Sequence, residues 1–71
     1  MAKRSVTIAG HRTSLSLEQS FWEALGEIAA AQRTSVAGVI AEIDRKRKPD
    51  ENLSAAIRVF VLGHFRKPPD G

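Results

Sequence analysis

Cysteine is absent from this chain of 71 residues, and histidine occurs only as His11 and His64. No disulfide can staple so short a chain, and two histidines make no cluster resembling a zinc or iron site. No apolar run approaches the roughly 18 residues that cross a bilayer, and the N-terminus lacks the continuous apolar core of a signal peptide. Internal repeats, low-complexity tracts and a glycine-rich phosphate cradle are missing too. Neither histidine has a carboxylate or nucleophile at a recognisable spacing, so no catalytic residue, metal or cofactor is expected. These absences describe a cytoplasmic, non-enzymatic protein that does not engage membranes. At this length it is a single domain with a marginal core, and self-association is the remaining staple.

What is present is positive charge, +3 overall, held in two places. Lys3, Arg4 and Arg12 all precede the first acidic residue, Glu18, and Arg45, Lys46, Arg47 and Lys48 form an unbroken run. Basic patches of this kind favour polyanions. The run at 45–48 taken alone reads first as a solvated cap that complements the negative end of a helix dipole.

The hydrophobic period changes along the chain. Residues 3–8 alternate, with Arg4, Val6 and Ile8 on one face and Ser5 and Thr7 on the other, which predicts a short strand. Gly10 supplies the positive φ that a tight reversal needs. Thr13, Leu15 and Leu17 then form one face of a second strand, and Arg12, Ser14 and Ser16 form a polar, donor-rich opposite face. From Ser16 an S-x-x-Q capping box, with Leu17 or Glu18 as the other candidates for the boundary, opens a first helix over about 18–32 with a stripe of Phe21, Trp22, Leu25, Ile28 and Ala29. Thr34 or Ser35 caps a second helix that carries Val36, Val39, Ile40 and Ile43 and ends near Arg47, stopped by Pro49. Asn52 or Ser54 caps a third, with Leu53, Ala56, Ile57, Phe60, Val61, His64 and Phe65 on its stripe.

A strand standing directly in front of a helix has unpaired edges and must find a partner. Residues 12–17 pair either with the same strand of a second chain or with residues 6–8 of their own. In both cases Leu15 and Leu17 lie on the helices.

The order strand, helix, short turn, helix resembles the ribbon-helix-helix (Arc-type) family of bacterial DNA-binding repressors. "RTSLSLE" resembles its ribbon leading into the first helix, "FWEALGEIAAAQ" its first helix, and "RTSVAGVIAEI" its turn and second helix. The resemblance implies a mainly α fold, a ribbon-helix-helix domain over residues 11–67 with an additional C-terminal helix, assembled as an intertwined homodimer whose antiparallel ribbon enters the DNA major groove. Residues 1–10 are then a basic N-terminal arm or short strand, and 68–71 a flexible tail. It further implies a transcriptional regulator in which Arg12, Ser14 and Ser16 face base edges. Lys3, Arg4 and the start of the second helix at Thr34, Ser35 and Val36 would hold phosphates. The partners implied are double-stranded DNA and a second copy, with a protein on the third helix as a further candidate.

Two departures have physical consequences. Where the family often has proline at the start of the first helix this chain has Glu18, a carboxylate beside the groove face. Where it usually has glycine between the helices the chain has Arg33, at a cost of about 1 kcal/mol if φ is positive there. A further question is width: should residues 4–8 pair with 12–17, a dimeric ribbon becomes four-stranded and too wide for a groove that admits two strands. The alternative to DNA readout is a protein–protein interaction module built on Trp22, Phe60 and Phe65.

Overall fold

The computed structural model describes residues 1–66. The expected tail at 68–71 lies outside them. Two strands, β1 (Ala2–Ile8) and β2 (His11–Leu17), form an antiparallel hairpin, followed by three helices, α1 (Gln19–Ala31), α2 (Val36–Lys46) and α3 (Leu53–Phe65). The pairing runs from Ala2 opposite Leu17 to Ile8 opposite His11. Residues 2–8 are therefore a paired strand and not a loose arm.

The reversal uses two residues, Ala9 at φ 51° and Gly10 at φ 83°. Positive φ at both central positions matches the right-handed twist of the flanking strands, which is why such turns dominate two-residue hairpins. Only Gly10 reaches that region without strain.

Directly opposed residues in an antiparallel pair share a face. Ala2, Val6 and Ile8 therefore join Thr13, Leu15 and Leu17 on the inner face, where β1 packs on α2 and β2 on α3. Leu17 is fully enclosed and Leu15 only 6% exposed. Within one chain β1 pairs with one edge of β2, and the chain's own helices bury both leucines. Leu25 and Ile28 from α1, Ile40 from α2 and Ile57 from α3 complete the core, each fully or almost fully buried.

The helix starts differ in chemistry. Ser35 Oγ accepts from Gly38 N at 3.0 Å, and Asn52 Oδ1 accepts from Ala55 N at 3.2 Å, so α2 and α3 carry side-chain caps. The expected capping box at Ser16 does not form: Ser16 belongs to β2, and α1 starts from Glu18, whose side chain makes no cap bond. Extended pairing with β1 holds Ser16 in the sheet, and the carboxylate of Glu18 is directed to Arg58 instead, 3.0 Å from its Nε.

The α1–α2 turn closes by the two reverse hydrogen bonds of a Schellman motif, Arg33 N to Ala30 O at 3.2 Å and Thr34 N to Ala29 O at 2.9 Å. Arg33 occupies the left-handed position of that motif with φ 55°, the place usually taken by glycine.

Candidate nucleic-acid interface

The alternation of β2 that buries Leu15 and Leu17 turns Arg12, Ser14 and Ser16 to the other face. Cross-strand register then adds residues from β1: Thr7 stands opposite Arg12, Ser5 opposite Ser14, and Lys3 opposite Ser16. The outer face of the hairpin is thus Lys3, Ser5, Thr7, Arg12, Ser14 and Ser16. All are exposed except Ser16, which is half-buried. Two cations and four hydroxyls share this face, and residues 1–17 contain no carboxylate.

Ser5 and Thr7 were not singled out from the sequence. Alternation alone places them on the face of β1 that carries Lys3, but which residues of β2 they oppose depends on the turn length.

Arg4 does not belong to this face. It stands opposite Leu15 on the inner side, and its guanidinium lies over the Trp22 ring, 5.1 Å from the centroid. Trp22 in turn donates from Nε1 to the Ala2 carbonyl oxygen at 2.8 Å. Lys3 and Arg4, both expected to contact phosphate, thus stand on opposite faces of the hairpin, because neighbours along a strand point to opposite faces.

Thr34, Ser35 and Val36 stand at the α1–α2 turn, apart from the ribbon residues in the chain. The N–H of Thr34 is committed to Ala29 O and is not free for an anion. The N–H groups of Ser35 and Val36 donate to no acceptor among the described residues, and they sit at the positive end of α2. The Thr34 hydroxyl packs over the same turn, where a β-carbon on residue 38 would come within 2.5 Å of Thr34 Oγ1, so Gly38 is what allows this close approach.

Elsewhere Glu18, Glu42 and Asp44 are held in ion pairs. A backbone hydrogen bond at Glu18 and then the Arg58 guanidinium hold the Glu18 carboxyl below its ordinary pKa, so it is an anion already matched by a cation beside the ribbon's end. The run at 45–48 behaves as a helix cap. Arg45 and Lys46 both pair with Glu42, whose pKa is lowered first by its hydrogen bond from Arg45. Arg47 Nε donates to Asp44 Oδ1 at 2.7 Å, and its Nη1 donates to the Glu51 carbonyl oxygen at 2.7 Å, which ties the end of α2 to the loop before α3.

Of the aromatics, Trp22 is buried, Phe60 is partly buried against the core and Phe65 is 54% exposed. His64 is half-buried, edge-on to Phe65 at 4.9 Å between ring centroids, which is a packing role. None of the described helices is long and apolar enough to cross a membrane.

A family model described as a ribbon-helix-helix domain matches residues 1–65. Neither a curated protein nor a solved structure matches the chain. The match takes in both strands and all three helices, and the chain belongs to the ribbon-helix-helix family, whose members are typically DNA-binding transcription regulators and not typically enzymes.

Proposed function

We propose that this ribbon-helix-helix chain is a sequence-specific transcriptional regulator that binds duplex DNA as a homodimer, with the outer face of its ribbon as the reading surface. The observation that carries this reading is the composition of that face: Lys3 and Arg12 among four hydroxyls, with no carboxylate on either strand. Lys and Arg supply the phosphate attraction that dominates DNA affinity, and a two-stranded ribbon is one of the shapes that the roughly 12 Å major groove admits.

In this reading Arg12 makes the bidentate contact that guanine O6 and N7 invite, and Ser14 and Ser16 donate to or accept from neighbouring base edges. Lys3 contacts the backbone, and the free N–H groups of Ser35 and Val36 hold a phosphate at the start of α2, with the Thr34 hydroxyl beside them. Arg4 contributes through the stability of the ribbon. The ion pair of Glu18 with Arg58 removes much of the repulsion that a carboxylate at this place would cause.

Titration of a labelled duplex tests this. Affinity falls steeply between low and moderate salt, and Arg12→Ala relaxes the base preference by about tenfold or more, the worth of one bidentate pair. Absence of any binding at low salt would refute the proposal. Sedimentation at micromolar concentration tests the homodimer, which a folded monomer would exclude.

A second reading is favoured by α3. Val59, Leu62 and Phe65 leave an apolar strip exposed, and a protein–protein interaction module would use it. A chain that binds no duplex but retains a partner through this strip is the outcome that would favour it.

A further inference from the structure

We infer that β1 is a detachable strap: it pairs with β2 in the free protein and peels back from its Ala2 end when duplex DNA is bound. This rests on the DNA-binding homodimer reading given above and adds to it a closed and an open form of the same chain.

The closed form is too broad for the groove. The sheet of one chain has two strands, so among the described residues β2 keeps one edge unpaired, and that edge is open to β2 of a second copy. With both straps in place such a dimer has four strands, about 14 Å between its outer axes before side chains are added, against a major groove about 12 Å wide. With the straps peeled back the ribbon is two strands, a single spacing of about 4.8 Å.

Burial along β1 shows where the strap gives way. Ile8, beside the turn, is 6% exposed, Ala2 and Val6 are half-buried, and Lys3, Arg4, Ser5 and Thr7 are exposed. Beyond the strand pairing itself, residues 2–5 are fastened by the Trp22 Nε1–H bond to the Ala2 carbonyl oxygen and by the Arg4 guanidinium over the indole. A segment that buries so little apolar surface opens at lower cost than the core beneath it.

DNA itself favours the open form. Lys3 and Arg4 leave with the strap, and residues 1–17 contain no carboxylate, so the released segment is a cationic arm that the phosphates flanking the groove attract. Duplex therefore binds the open form better than the closed one, and that difference in affinity is what shifts the population.

A cross-strand disulfide tests this. Val6 and Thr13 are directly opposed on the inner face, away from the residues proposed to touch DNA. Opposed residues lie about 4.5–5.5 Å apart at Cα, within the range that a disulfide bridges. The chain has no cysteine of its own, so Val6→Cys with Thr13→Cys, purified as the intrachain-bonded species, locks the strap and nothing else. Opening also has a built-in reporter, because Trp22 is the only tryptophan and is 3% exposed while the strap is closed.

The reduced double variant is expected to bind labelled duplex as wild type does, and the oxidised one at least about tenfold more weakly at the same salt, because the binding-competent fraction has been removed. Trp22 emission should move to the red on addition of duplex to wild type and to the reduced variant, and stay in place in the oxidised one. Equal affinity of the oxidised and reduced forms, or wild-type Trp22 emission unmoved at saturating duplex, overturns the inference and leaves DNA binding standing. If wild type binds no duplex at low salt, the DNA-binding reading itself has failed.

Discussion

Arg33 shows how much a single backbone angle can cost. Its φ of 55° closes the Schellman motif between α1 and α2, and only a residue in that region can return the N–H groups of residues 33 and 34 to the end of α1. A side chain with a β-carbon is strained there; glycine is not. Arg33→Gly is therefore expected to stabilise the protein by about 0.5–1 kcal/mol, raising the melting temperature by about 2–8 °C. Thermal denaturation checks the sign.

At the scale of elements, β1 decides what kind of ribbon the molecule has. Its hold on the helices is concentrated in Trp22, which contributes a buried indole, a hydrogen bond to Ala2 and a platform for Arg4. Trp22→Phe keeps an aromatic ring in the core and removes the N–H donor. It is expected to cost about 1–3 kcal/mol, combining the lost hydrogen bond and the smaller ring. The loss should appear locally as well: amide hydrogen exchange in residues 2–5 should accelerate more than in α1 or α2, because the tether acts on the start of the strand. Uniform acceleration across all elements would show that Trp22 supports the core only as a whole.

At the scale of the whole molecule, the contact of Glu18 with Arg58 joins residues 40 apart in sequence and ties α3 to the junction of β2 and α1. The Arg58 guanidinium also lies over the Phe21 ring, 5.9 Å from its centroid. Because the folded Glu18 carboxyl titrates below its ordinary value, its contribution is complete above the usual carboxylate range and is lost as pH falls through the lowered value. Glu18→Gln should lower the melting temperature at neutral pH, and the gap between variant and wild type should close on acidification. Glu42 titrates in the same direction, so the difference between the two proteins, and not the acid dependence of either alone, isolates Glu18. A gap that persisted in acid would mean that shape and not charge joins these elements.

Much of this architecture is legible in the residues alone, because periodicity is a local property. The period of two in 11–17 placed Leu15 and Leu17 inward and Arg12, Ser14 and Ser16 outward, and the helical recurrence of apolar residues separated three helices whose caps at Ser35 and Asn52 follow from side-chain chemistry within one turn. Tertiary structure alone decided the rest. Nothing local states which strand pairs with residues 11–17; the turn at Ala9–Gly10 and the Trp22 tether bring residues 2–8 to one edge of that strand within this chain. The same non-local pairing moved Arg4 off the polar face, brought Ser5 and Thr7 onto it beside Ser14 and Arg12, and drew Ser16 out of a helix cap into the sheet. A sequence specifies which way each side chain faces; which neighbours share that face depends on contacts between residues far apart in the chain, whose energies no short window contains.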